Sequence, residues 1–136
     1  MIILLISERK EVYENTKRIV ARKYDLIWHS YDILNEEKFP ETDVVIVDFG
    51  KHIDDTDAFE VIIKIKGKLG HMIPILALIE ESSPQDIFTI LRAGAYDYLE
   101  DSQNTSEYCK KIDELILWEW YLVRRKDYGG HIDHEK

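Results

Sequence analysis

Short apolar runs alternate along this chain with longer stretches in which hydrophobic and polar positions recur at helical spacing. Ile2 to Ile6 is a continuous apolar run closed by Ser7 and charged residues. Val44 to Val47 is a second, bounded by Asp43 and Asp48, and Ile73 to Ile79 is a third, with Pro74 near its start. Runs this short and this rich in Ile and Val suit strands buried on both faces, as in a parallel sheet covered by helices. Leu26 to Trp28 and Tyr96 to Leu99 are weaker candidates that bring the strands to five.

Between the strands the period changes. From Glu8 to Lys23, Val12, Thr16, Ile19 and Val20 recur three and four residues apart. Asn35 to Phe39 predicts a short helix closed by Pro40, and Phe59, Ile62 and Ile63 form an inward stripe after Asp57, ended by Gly67 and Gly70. Pro84 suits a first helical turn, with Ile87, Ile90 and Leu91 inward and Gly94 as the stop. The last helix starts at Asn104, with Glu107 as its capping-box partner. Five strand–helix repeats predict a doubly wound α/β domain. Right-handed crossovers favour a flavodoxin-like five-stranded parallel sheet of order 2-1-3-4-5 with an extended C-terminal helix.

Composition narrows this picture. With 136 residues, 45% hydrophobic, the chain has the size of one domain with a real core. The domain is expected over residues 1–126, with 127–136 as a polar linker or tail. The net charge of −9 argues against gripping nucleic acid, which needs a positive field. The single cysteine, Cys109, excludes an intramolecular disulfide and a multi-cysteine zinc site, and points to a cytoplasmic setting. Met1 to Ile6 lacks the pattern of a signal peptide, and no apolar run approaches the roughly 20 residues that span a bilayer.

In open α/β sheets, sites form at the carboxyl ends of strands where strand order reverses, here between the first and third strands. Ser7 and Glu8 end one, and Asp48, Phe49 and Gly50 end the other. A carboxylate directly after an apolar strand can be a nucleophile, a metal ligand or a loop cap. Ser7-Glu8-Arg9-Lys10 contains no glycine, so no phosphate-binding loop follows the first strand. No nucleophile elbow or paired-histidine zinc motif occurs either, and nothing in the sequence supports turnover of a small substrate. His131 and His134 sit in the polar tail.

Over about residues 1 to 125 the chain resembles the receiver domains of two-component response regulators. Arg92-Ala93-Gly94-Ala95-Tyr96-Asp97-Tyr98-Leu99 is similar to the family's segment entering the fifth strand, Asp43 to Asp48 to its third strand, and Met72 to Leu78 to its fourth. The resemblance implies that Asp48 is the phosphoacceptor position. The family's acidic pair, which holds magnesium, falls on Ser7 and Glu8, leaving Glu8 and Asp48 as a weak magnesium site. The family's hydroxyl residue falls on Ile79, followed by Glu80, and its lysine on Asp101, followed by Ser102. Tyr98 keeps the switch aromatic.

Ser7, Ile79 and Asp101 are therefore degenerate switch positions. Phosphorylation would bring about −1.5 to −2 charges to the strand tips. An anion in place of the lysine reverses an interaction of about 4 kcal/mol for unit charges 4 Å apart near a surface, before screening. Glu8, Asp48, Glu80 and Asp101 are expected to crowd negative charge at those tips, with Lys51, Arg9 or Lys10 as the available substitute cations. Asp48 as a loop cap, Glu8 as a favourable charge at a helix start and Tyr98 as a packing residue are the plainer alternatives.

The last helix carries more apolar surface than one domain can cover. Cys109, Ile112, Ile116, Trp120 and Val123 are expected to face the sheet. Tyr108, Leu115, Trp118, Tyr121 and Leu122 are expected to form a partner interface, for a homodimer or another signalling protein. The reading is a degenerate receiver acting through protein contacts, possessing no enzymatic activity, with an output domain following the tail by analogy. The alternatives are a phosphorylatable receiver with an atypical metal site and a flavodoxin-like small-molecule binder.

Overall fold

The structure, a computed structural model, describes residues 1–50 and 55–135, with side chains over 1–50 and 58–123. The elements run β1 (Ile2–Ile6), α1 (Lys10–Val20), β2 (Asp25–His29), a 3-10 turn (Tyr31–Asn35), β3 (Val44–Gly50), α2 (Asp55–Leu69), β4 (Ile75–Ile79), α3 (Pro84–Ala93), β5 (Asp97–Leu99) and α4 (Thr105–Glu135). The strands form one parallel sheet in the order β2-β1-β3-β4-β5, as the alternation of elements predicts.

Strand alternation divides the apolar side chains between two cores. Leu4, Ile6, Val45, Val47, Ile75, Ala77 and Ile79 pack with Ala58, Ile62 and Ile65 of α2 and Ile90 of α3. Ile3, Leu5, Val44, Ile46, Leu76 and Leu78 pack with Val12 and Val20 of α1 and with Tyr108, Ile112, Leu115 and Ile116 of α4. Each helix pair covers one face, so the central strands have no polar side and read as unbroken apolar runs.

Several local expectations shift. The short helix expected at Asn35 to Phe39 is replaced by the 3-10 turn just upstream, where the Ser30 hydroxyl accepts from the Asp32 N–H. In α2 the buried stripe is Ala58, Ile62 and Ile65, while Phe59 and Ile63 are exposed. Gly67 lies inside α2, and the helix stops before Gly70, whose φ is +103°. Leu91 of α3 is exposed. In α4, Trp120 and Val123 lie on the exposed side, whereas Tyr108 and Leu115, expected at the interface, are fully buried. The Tyr108 hydroxyl meets the Thr16 hydroxyl at 2.7 Å, which satisfies both inside the core. The backbone of α4 is helical through Glu135, including residues expected as linker. No proline interrupts that stretch, and a glycine costs a helix only about 1 kcal/mol.

The ends of α3 follow their sequence signals, whereas α4 forms only half of its expected capping box, because the Asn104 N–H donates to the Asp101 carbonyl. Ser83 and Asp86 form a reciprocal capping box on α3, and the Asn104 side chain accepts from the Glu107 N–H at 3.2 Å. Gly94 ends α3 with φ +118°, and a Cβ there would lie 2.4 Å from Lys66 Cε. Gly94→Ala is predicted to lower stability by about 1–2 kcal/mol from the backbone alone, measured as a fall in urea midpoint. Any further loss comes from the Lys66 contact, and adding Lys66→Ala should recover that further part and leave the backbone cost in place.

Candidate functional site

The same alternation that builds the cores places three polar side chains together. Ile3 and Leu5 lead to Ser7 on β1, Val44 and Ile46 to Asp48 on β3, and Leu76 and Leu78 to Glu80 after β4. Each polar residue continues, beyond the strand's last inward residue, the side-chain series that faces α1. The three strands are neighbours in the sheet, so the three side chains emerge side by side at its carboxyl edge.

Arg9, at the N-cap of α1, closes this group. Its Nε donates to Asp48 Oδ2 at 2.9 Å and its Nη2 to Asp48 Oδ1 at 2.7 Å, a bidentate pair. Its Nη1 reaches Glu80 Oε1 at 3.0 Å. The Ser7 hydroxyl donates to Asp48 Oδ2 at 2.7 Å and accepts from the Arg9 N–H at 3.0 Å. The Gly50 N–H donates to Asp48 Oδ1 at 3.0 Å. The Asp48 side chain is 1% exposed and that of Arg9 28%, so the arginine lies on the solvent side of the carboxylate. Asp48 and Glu80 both hold Arg9 more firmly protonated than a free arginine, against burial acting the other way, with the Asp48 hydrogen bond the largest cause.

Gly50 is fitted to its place by conformation. A bulge interrupts the β3–β4 register between Asp48 and Gly50, and φ at Gly50 is +66°. That turn aims the Gly50 N–H back at Asp48 while its carbonyl accepts from the Glu80 N–H at 2.9 Å. Tyr31 supports the strand from the other side: its hydroxyl donates to the Asp48 carbonyl. Burial and the neighbouring Asp48 raise its pKa, so it remains a neutral donor. The Trp28 indole N–H donates to the Ser7 carbonyl at 2.9 Å, and its ring stacks on Tyr13 of α1 at 4.4 Å.

The expected crowding of bare negative charge is corrected by this arrangement. Asp48 and Glu80 share one guanidinium. Glu8 follows Ser7, turns to the opposite side and accepts from the Tyr31 N–H at 2.9 Å. Asp101 is exposed and caps its own loop through the Gln103 N–H at 3.0 Å. Ile79 is fully buried in the core and offers no hydroxyl, and Tyr98 is half-buried against the same core. Lys111 is paired with Asp97 at 2.6 Å. Of the three substitute cations, Arg9 is engaged, Lys10 is an exposed residue at the start of α1, and Lys51 lies outside the described residues. The part played by Tyr31 had no sequence signal beyond an aromatic residue after β2.

The site residues do not fit a magnesium ion as they stand. The Asp48 oxygens already accept four hydrogen bonds, and a guanidinium lies between Asp48 and Glu80. Among the described residues, no three His, Cys, Asp or Glu side chains converge as metal ligands. A carboxylate so engaged has no uncommitted lone pair directed at solvent, so it is poorly placed as a nucleophile. Among the described residues, no helix is long and apolar enough to cross a membrane.

No protein-family model matches the chain, and no curated protein matches it in sequence. Solved structures share its fold. A response regulator receiver protein from Pseudoalteromonas atlantica has a TM-score of 0.68 at 16% identity, covering 85% of this chain and 97% of its own. A putative pilus assembly-related protein from Burkholderia pseudomallei has a TM-score of 0.68 at 19% identity, covering 87% and 90%. The receiver domain of a sensor histidine kinase from Pseudomonas aeruginosa, with magnesium coordinated in its active-site cleft, has a TM-score of 0.66 at 20% identity, covering 87% and 96%. These likenesses establish the receiver fold.

Removing Arg9 leaves the Asp48 carboxylate buried and uncompensated. Arg9→Ala is predicted to cost about 2–4 kcal/mol, somewhat under the ~3–5 of a fully buried pair because solvent reaches the guanidinium. In a urea-denaturation double-mutant cycle, Asp48→Asn should recover part of that loss in the Arg9→Ala background.

Proposed function

We propose that this chain is a receiver-like signalling module, cytoplasmic and without turnover of its own, that works through protein contacts and does not use phosphorylation as its switch. The observation that carries this reading is the bidentate Arg9–Asp48 pair: the phosphoacceptor position is already held by an internal cation. Two further features support it. Ile79 supplies no hydroxyl to a phosphoryl group, and Asp101 supplies no positive charge. The alternative, Asp48 as a phosphoacceptor served by a neighbouring cation, requires Arg9 to leave Asp48 and re-engage the product. A flavodoxin-like small-molecule binder is disfavoured by the absence of a glycine loop after β1 and by the side chain filling the strand tips.

The contact surface is proposed on α4. Tyr96, Trp118 and Tyr121 stack in sequence, with centroids 5.5 and 5.6 Å apart. Tyr96 and Tyr121 remain 41% and 45% exposed, and Leu117 is 64% exposed. Aromatic residues on a rigid helix suit an interface hot spot, and a second copy of the chain is the proposed occupant. Net charges of −9 on both copies oppose association, so added salt should strengthen it.

Incubation with acetyl phosphate and magnesium, followed by intact-mass measurement, should leave the protein unmodified; a stable phosphoryl adduct at Asp48 overturns the reading. Trp118→Glu should weaken self-association by about 2 kcal/mol or more, roughly 30-fold, in sedimentation equilibrium. A wild type that stays monomeric at high concentration and high salt refutes the dimer.

A further inference from the structure

We infer that Arg9 is the resident cation of the strand-tip pocket, filling the place of a metal ion, and that the niche around it accepts an external cation once the arginine side chain is removed. This deepens the reading above and rests on it in one respect, that Asp48 is engaged at rest. The guanidinium touches groups from two strand tips, Asp48 of β3 and Glu80 after β4, while its own backbone N–H is held by Ser7 of β1. Arg9 thus joins three strands and the start of α1, two through its guanidinium and β1 through its backbone N–H. The charges of Arg9, Asp48, Glu80 and the exposed Glu11, whose Oε1 lies 3.9 Å from Arg9 Nη1, sum to −2, and without Arg9 to −3, with Asp48 almost wholly shielded from water.

An uncompensated carboxylate at that depth favours a cation beside it. The remaining donors are two carboxylates and the Ser7 hydroxyl, hard oxygens of the kind that hold magnesium or calcium. The cavity left by the arginine also has the shape of the fork that filled it, with two carboxylate oxygens set for parallel N–H donors. Free guanidinium ion is therefore a second ligand for the vacated niche. In the intact protein neither can enter, because a further positive ion would meet Arg9 in the same space. The resting conformation is accordingly independent of metal.

Thermal and urea unfolding of the wild type and of Arg9→Ala, each with magnesium chloride, EDTA, millimolar guanidinium chloride or sodium chloride of matched ionic strength, tests this. The Trp28 indole N–H resonance, one hydrogen bond from Ser7, reports on the site itself. The wild type should respond to neither magnesium nor EDTA. Arg9→Ala should have a lowered midpoint, raised again by magnesium and by guanidinium but not by sodium, and should bind magnesium at least tenfold more tightly than the wild type. Asp48→Asn in that background should abolish the rescue. Should Arg9→Ala not fold alone, Arg9→Gln takes its place, with Arg9→Lys as the charge-keeping control that gains no magnesium affinity. A wild type that binds magnesium at this site, a variant as stable as the wild type, or a variant that neither ion rescues overturns the inference. Phosphoryl transfer to Asp48 is read separately by mass, so failure of the functional reading is distinguishable from failure of this one.

Discussion

A carboxylate at the end of an apolar strand, with almost no exposure to water, is costly unless hydrogen-bond donors and an opposite charge face it. Asp48 is in that position, and much of the surrounding structure follows from meeting its demand. Arg9 supplies charge and two parallel donors, Ser7 a hydroxyl and Gly50 a backbone N–H. Glu80 then fixes the third face of the guanidinium. The parallel sheet brings these groups together, because three neighbouring strands end at one edge with the same side-chain parity.

The fold was largely legible because its signals are local. Continuous Ile and Val runs mark strands covered on both faces, and Pro84, Gly94 and Asn104 mark helix ends by side-chain chemistry or backbone conformation. Facing was harder. Phe59 and Ile63 satisfy helical spacing as well as Ala58, Ile62 and Ile65 do, and only packing against the sheet separates the two sets. In α4 the aromatic content obscured the phase: Tyr108 is buried because its hydroxyl finds Thr16, a partner 92 residues away that no local pattern reveals.

The site was legible in its positions but not in its pairings. Asp48, Ser7 and Glu80 could be placed at the strand tips from sequence, yet the charges there look unbalanced when counted by residue type. Parity resolves the imbalance. Glu8 follows Ser7 by one residue and so turns to the Tyr31 side, while Arg9 begins a helix whose first turn lies over Asp48. Such geometry is readable only once the strand register and the start of α1 are both fixed. The acidity of the domain is thus not concentrated at the strand tips: Asp48 and Glu80 face one guanidinium, and Glu8 and Asp101 accept from other partners.

The length of α4 has a consequence of another kind. At 1.5 Å per residue, 31 residues make a rod of about 46 Å, and among the described side chains Ile116 is the last buried one. Beyond that point the helix still holds a fixed angular phase, about 100° per residue, relative to the Tyr96–Trp118–Tyr121 stack. One residue added within the rod would leave the domain intact yet rotate everything farther along by more than a quarter turn. The helix therefore carries direction as well as distance outward from the domain, like the keyed shaft of a mechanism whose bearing is the sheet.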